Sequence, residues 1–295
     1  MSLRSYRTLV AIAQDGSFVR AAEALNMTVS AVSMQMKSLE DSLDAALFDR
    51  SRRPPQLTPL GREVAARARR LVEGEDRLRA ACRAPGTLRG AYRIGFVLTS
   101  SVRYLPSFLA RTRDRFPAAR IEIETGLSDD LIARVLDGRL DAAVVTEMPD
   151  LPSALRPYPV ADEPLVWCLP ALAEGWSLET CEARLPFIHF MPRTGIGRLI
   201  ALHLERAGRR PRPEIVLDSV AAVAECVAAG VGFSILPEPD IRHYGGGDIR
   251  LRALGPEPVT RRLALVAHET GALGADAGLL VDALRGDGPA MKEAD

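Results

Sequence analysis

Long apolar runs are missing from this 295-residue chain. No window holds 18 uncharged apolar residues, so no membrane-spanning helix is expected. A secretory leader is not evident either: Arg4, Arg7 and Gln14 interrupt the apolar positions of the N-terminus, and the expected location is the cytoplasm. Cysteine is scarce. Cys82, Cys168, Cys181 and Cys226 form no C-x-x-C, and no histidine stands at zinc spacing, so reduced structural thiols are expected and no metal or other cofactor. Catalytic signatures are wanting too. There is no G-x-S-x-G elbow around Ser100 or elsewhere, no phosphate loop, and Gly195-Ile196-Gly197 lacks the third glycine of a dinucleotide fingerprint. The expected protein is not an enzyme.

Net charge of one sign is also missing, but the zero balance hides an asymmetry. Residues 1–93 hold 16 Lys+Arg against 10 Asp+Glu, about +6, and the remainder is about −6. A basic front and a separate acidic body fit a nucleic-acid-binding head joined to another function. At 47% hydrophobic and 26% charged, the chain is ordinary for a globular protein of two or three domains.

What is present begins with helical periodicity. Leu3, Tyr6, Leu9, Val10 and Ala13 predict an amphipathic helix that Gly16 ends. Ser17 is placed to cap a second helix running to about Leu25. Asn26-Met27 makes a turn, and Thr28 can cap a third helix. There, Val32, Met36, Leu39 and Leu43 form one buried stripe. Ser30, Ser33, Met34 and Lys37 fall on the opposite side, where hydroxyls, a thioether and an ammonium can meet bases and phosphates in a major groove. Arg50, Arg52 and Arg53 crowd a loop stiffened by Pro54-Pro55, as in the wing of a winged helix. Double-stranded DNA is the expected partner.

Thr58 and Pro59 start a further helix. Leu60, Val64, Ala68, Leu71, Glu75, Leu78 and Cys82 read as a coiled-coil seam broken only by Glu75. Such a seam is buried by a second copy, so a homodimer through this helix is expected. Pro85-Gly86 ends it.

Beyond it, strand-like and helical runs alternate. Tyr92–Leu98, Arg120–Thr125 and Asp141–Thr146 read as strands, separated by helices at Val102–Phe116 and Asp129–Leu136. This βαβαβ order predicts a mostly parallel α/β sheet. Later strands are expected at Val166–Leu169, Phe187–Phe190, Ile215–Leu217, Gly232–Leu236 and Arg262–Ala267. Helices are expected after a cap at Asp218 and from about Asp276 to Arg285. Ligands of open α/β sheets sit beyond the carboxyl ends of the strands. Thr99-Ser100-Ser101, Ser128, Thr146 and the segment holding Arg193 and Thr194 should converge there, on a small polar or anionic effector.

The N-terminal stretch resembles the LysR-type transcriptional regulators. The resemblance rests on Gly16-Ser17-Phe18, Ala21-Ala22, Leu25, Ser30-Ala31-Val32-Ser33, Leu39-Glu40, Leu47-Phe48-Asp49-Arg50 and Leu57-Thr58-Pro59-Leu60-Gly61. Val29 stands where that family usually has a base-reading glutamine, and Asp44-Ala45-Ala46 replaces a glycine-containing turn. The body adds Arg93-Ile94-Gly95, Leu105-Pro106, Phe116-Pro117, Leu140-Asp141-Ala142-Ala143 and Ala229 through Pro237. The resemblance implies an α/β protein of three parts. They are a winged helix-turn-helix at 1–58, a coiled-coil linker and dimerisation helix at 59–87, and a two-lobed effector domain at 88–295 like periplasmic solute-binding proteins. Lobe one would hold 89–161 and 268–295, and lobe two 162–267. It also implies a homotetramer and a regulator whose effector binds between the lobes. The alternatives are a solute-binding protein with a degenerate head and a cysteine-based redox-sensing regulator.

Overall fold

The computed structural model describes residues 2–51, 54–81, 86–211, 213–245, 248–269, 271 and 273–285. Arg52, Arg53, Cys82 and the tail after Arg285 lie outside them. The chain divides after residue 84 into two compact units.

In the first unit, α1 (Leu3–Asp15) is capped by Ser2 and ends at Gly16, whose φ of 65° needs no Cβ. Leu9, Val10 and Ile12 are its buried apolar side chains, while Leu3 is exposed. The expected stripe is therefore rotated toward Ile12. Ser17 caps α2 (Phe18–Ala24) by accepting from Val19 N at 3.2 Å. Thr28 caps α3 (Val29–Leu43) by accepting from Ala31 N at 3.2 Å. Asp44 closes α3 at φ 48°, a left-handed conformation usually filled by glycine. A two-stranded antiparallel wing follows, β1 (Phe48–Asp49) with β2 (Gln56–Leu57). The core gathers Leu9, Ala21, Val32, Met36, Leu39, Leu47 and Phe48.

The next helix, α4 (Pro59–Ala81), corrects the reading of one uniform seam. Val64, Ala65 and Ala68 join the core of the head, where α4 packs on α1. Glu75 meets Arg7 at 2.9 Å, so the residue that interrupts the seam has a partner within the same chain. Leu60, Leu71 and Leu78 stay exposed, at 46%, 55% and 67%.

The second unit opens with β3 (Gly90–Val97), α5 (Leu98–Arg115), β4 (Ala119–Gly126), α6 (Ser128–Leu136) and β5 (Ala142–Thr146). β4 and β5 flank β3 in parallel, as the βαβαβ order demands. The long strand β6 (Leu155–Pro170) was legible only at Val166–Leu169, near its end. Pro157, Pro159 and Pro164 obscure the rest, yet they are tolerated because this stretch is an edge that pairs on one side only, with β11 (Thr260–His268). Past Pro164, β6 passes into the second lobe and pairs with β9 (Ser234–Pro237) and β10 (Ile249–Ala253). Every pairing of β6, and that of β11 with β5, is antiparallel. The expectation of a mostly parallel sheet thus holds for β3–β5 but not for the strands that join the lobes.

The second lobe adds α7 (Leu178–Arg184), β7 (Phe187–Phe190), α8 (Gly195–Arg206), β8 (Pro213–Leu217), α9 (Val220–Ala228) and α10 (Glu238–Tyr244). β7 and β8 run parallel. Ser219, not Asp218, caps α9, accepting from Ala222 N at 3.3 Å. Trp167, Phe187 and Phe233 pack edge-to-face and tilted against one another at the centre of this lobe. The other lobe closes on Phe96, Phe108, Leu263 and Leu265, covered by α11 (Ala277–Arg285).

Candidate nucleic-acid interface and effector site

In the head, α3 buries Val32, Met36 and Leu39 and turns its other side outward. Val29, Ser30, Met34 and Lys37 are exposed and Ser33 half-buried; Met34 is 72% exposed. Thr28 and Ser30 hydroxyls lie 3.0 Å apart at the start of the helix. Arg50 is not a free wing cation: its Nη2 donates to Glu40 Oε2 at 2.7 Å. The other oxygen of Glu40 accepts from Leu47 N and Phe48 N, at 2.8 and 3.0 Å. One carboxylate at the end of α3 therefore holds the first wing strand. Sequence reasoning quoted Glu40 only as part of a motif; its seven-residue reach to Leu47 follows no helical or strand period.

In the body, the strand register brings Thr99, Ser128 and Thr146 to the carboxyl ends of β3, β4 and β5. Val97, which ends β3, is paired with Gly126, which ends β4, and Phe96 with Val144 near the end of β5. Thr99, Ser100, Ser101, Ser128 and Thr146 are all buried. Ser128 Oγ accepts from Thr146 N at 3.2 Å. Across from them, Thr194 caps α8 and donates to Met191 O at 2.8 Å. The next residue, Gly195, faces Thr146 and Met148 so closely that an added Cβ would stand 3.2 Å from Met148 Sδ. A Cβ on Gly197 would fall 2.1 Å from Met191 O. Gly197 thus serves close backbone approach at the turn into α8, while Gly195 leaves room for the Met148 and Thr146 side chains. Arg193 is exposed, and Arg198 reaches Asp129 of the facing lobe at 3.2 Å.

The three hydroxyls of the α5 first turn differ in what they have left to offer. Ser100 donates to Val97 O and Ser101 to Leu98 O, at 3.2 and 2.8 Å. Thr99 Oγ1 accepts from Arg261 Nη1 at 2.7 Å. Arg261, Glu163, Asp240 and Arg103 make a buried charged cluster that sequence reasoning missed. Its directly bonded members lie up to 137 residues apart, and Asp162-Glu163-Pro164 reads as a lobe boundary rather than as strand.

The thiols fare differently from one another. Cys168 is fully buried, and burial pushes its thiol well up. Burial also raises Cys181, while Cys226 is half-buried. Groups of three or more metal-ligating side chains do not occur among the described residues, nor does a helix long and apolar enough to cross a membrane.

A winged helix-turn-helix followed by a two-lobed α/β body with a polar interlobe edge defines a DNA-binding regulator with a small-molecule domain. Residues 3–62 match the sequence model of the bacterial regulatory helix-turn-helix proteins of the lysR family, and residues 85–288 that of the LysR substrate binding domain. The chain belongs to the LysR family of transcriptional regulators. It is 34% identical over 170 residues to a probable hydrogen peroxide-inducible genes activator of Mycobacterium xenopi, covering 57% of this chain and 89% of that one. It is 30% identical over 244 residues to a probable RuBisCO transcriptional regulator of a Nostoc species, covering 78% and 72%. Its fold superposes on full-length OxyR from Pseudomonas aeruginosa with a TM-score of 0.77 at 23% identity, over 97% and 95% of the two chains.

Proposed function

We propose that this regulator reads its operator with Ser30, Ser33, Met34 and Lys37 of α3 entering the major groove. Val29 stands at the base-facing start of the same helix, and Ser17, Thr28 and arginines 50, 52 and 53 attend the flanking backbone, Arg50 from its pair with Glu40. The observation that carries this is the exposed polar and thioether side of a helix whose opposite side is core. The exposed leucines of α4 support assembly as a homodimer, which the LysR resemblance extends to a homotetramer working in the cytoplasm. The effector is small and polar or anionic, held at the edge formed by Thr99, Ser100, Ser101, Ser128, Thr146, Arg193 and Thr194. The effector shifts operator binding by favouring one arrangement of the lobes over another.

The test is binding of the purified protein to DNA upstream of its own gene, against scrambled DNA, at two salt concentrations. Specific binding that survives moderate salt supports the reading; equal loss from both DNAs refutes it. An effector then found by its shift of that affinity should act on wild type, while Thr99→Ala keeps DNA binding and loses the response.

The Mycobacterium xenopi relative favours one competing reading, a peroxide-responsive regulator. A sulfur oxidised by peroxide needs thiolate character and access. Cys168 and Cys181 have neither, which leaves Cys226 as the better candidate among the described cysteines. An unchanged peroxide response of operator binding in Cys226→Ser, and separately in Cys168→Ser, would sink it.

A further inference from the structure

Where β6 and β11 cross from one lobe to the other, four charged side chains are buried together. Arg261 on β11 and Asp240 on α10 have no exposure, Glu163 on β6 has 2%, and Arg103 on α5 is mostly covered. The Arg261 guanidinium donates through Nε to Glu163 Oε2 at 2.9 Å, and its Nη2 contacts both Glu163 and, at 3.1 Å, Asp240 Oδ2. Arg103 donates through Nε to Asp240 Oδ1 at 2.7 Å and through Nη2 to Glu163. Tyr104 OH lies 3.3 Å from Glu163 Oε1. Two guanidinium groups thus balance two carboxylates. The Arg103–Asp240 contact joins the lobes, because α5 packs on β3 and β4 and α10 on α9 and β9, and α10 also touches α5 and β6 here.

The fourth edge of this cluster is the Thr99 hydroxyl, which accepts from Arg261 Nη1 at 2.7 Å. With its oxygen engaged as an acceptor, the Thr99 proton is free to point elsewhere, whereas the protons of Ser100 and Ser101 are spent on backbone carbonyls. Thr99 is therefore the one hydroxyl of this turn set to donate. A ligand oxygen with lone pairs, as in a carboxylate, suits it. A buried ion cluster is a weak source of stability compared with apolar packing of similar volume. Its worth lies in geometry: the planar Arg261 fork cannot move one arm without disturbing the others.

We propose that Arg261 is the positioning residue of the effector pocket, orienting Thr99 as a donor toward a ligand oxygen and passing any displacement of Thr99 to α10 through Asp240. This rests on the reading that Thr99 lines the effector pocket. The thermodynamic consequence is a link between pocket occupancy and the Arg103–Asp240 clasp between lobes. A ligand oxygen accepts the Thr99 proton without displacing Arg261 from the hydroxyl oxygen, so a ligand disturbs the clasp by shifting Thr99 bodily.

The coupling is measurable without any ligand, by hydrogen exchange on the full-length protein. Thr99→Val keeps the side-chain shape and removes the acceptor. Exchange across α10, in the other lobe, should then rise about 10-fold or more, while β7 and α9 keep their protection. Thr99→Ser restores the acceptor and should return α10 to within about twofold of wild type, the margin ordinary for a side-chain change that keeps its bond. Unchanged α10 protection in Thr99→Val would overturn the proposal. So would equal loosening of α10, β7 and α9, which marks general destabilisation, or a Thr99→Ser variant that behaves like Thr99→Val. The effector response of Thr99→Ala tests the pocket reading separately, so either can fail while the other stands.

Discussion

Glu40 offers a quantitative test of how the wing is held to the recognition helix. Its two oxygens do different work: Oε1 accepts from Leu47 N and Phe48 N, and Oε2 pairs with Arg50. Leu47 has no exposure and Phe48 has 4%, so Glu40→Ala strands two backbone donors in an apolar surround. Each stranded donor costs about 1–3 kcal/mol, and partial access of water brings the pair to about 3 kcal/mol. Glu40→Gln keeps an oxygen for the two N–H groups and loses only the ion pair to Arg50, whose side chain is 49% exposed. A half-exposed pair contributes up to about 1 kcal/mol. The expected order is therefore wild type, then Gln by about 1 kcal/mol, then Ala by about 3 kcal/mol. Hydrogen exchange at residues 47 and 48, converted to opening free energies, reads this directly, and operator affinity should fall in the same order. Equal effects of Gln and Ala would show that the Arg50 pair, not the backbone contacts, fixes the wing. Unchanged exchange in Glu40→Ala would refute the account altogether.

Three further outcomes follow from the head. Gly61→Ala should destabilise it by about 1–3 kcal/mol, because an added Cβ would sit 2.1 Å from Leu47 O; helix propensity alone predicts a gain of about 1 kcal/mol, so the sign of the shift in thermal loss of operator binding decides between them. Asp44→Gly should stabilise it by about 0.5–1 kcal/mol by relieving the left-handed backbone at φ 48°, seen as a higher denaturant midpoint for the head. Ser33→Ala combined with Lys37→Ala should weaken operator binding and reduce the slope of log affinity against log salt by about 1 per protomer; normal affinity in that double variant would remove both residues from the interface.

The head was legible because its signals are local. Gly16, Ser17 and Thr28 punctuate the helices within one or two residues of where they act, and the Val32–Met36–Leu39 spacing names the buried side of α3 directly. The joint between the lobes was not legible, for two physical reasons. Prolines in β6 mimic a loop, and only the one-sided pairing with β11 makes them acceptable. The charged cluster is assembled from four distant segments by tertiary folding, and each member alone reads as a solvated charge. Among the candidate effector residues, Thr99, Ser128 and Thr146 lie at the strand ends that the strand order suggested, but the sequence could not say that Arg261 already holds one of them. Gly195 and Gly197 showed only that a cofactor fingerprint is incomplete; the contact with Met191 O supplies the reason Gly197 is a glycine, and the approach of Met148 and Thr146 bears on Gly195.

The division of α4 into two faces constrains how its exposed leucines can be used. At about 100° per residue, Leu60, Leu71 and Leu78 fall within about 20° of one another around the helix. Ala68 and Ala65 lie about 80° and 140° further round, on the side that packs against α1. Alanines there let the two helix axes approach closely, and the Arg7–Glu75 pair fixes the pitch of one helix along the other. The leucine stripe is therefore set at a fixed rotation relative to α1, and through the shared core relative to α3. A second copy that buries the stripe inherits that rotation. The spacing and tilt of two recognition helices would then be decided by alanine packing inside each head rather than by the leucines themselves. Enlarging Ala68 should alter how well a paired protein fits its two half-sites even where the leucine contact is intact.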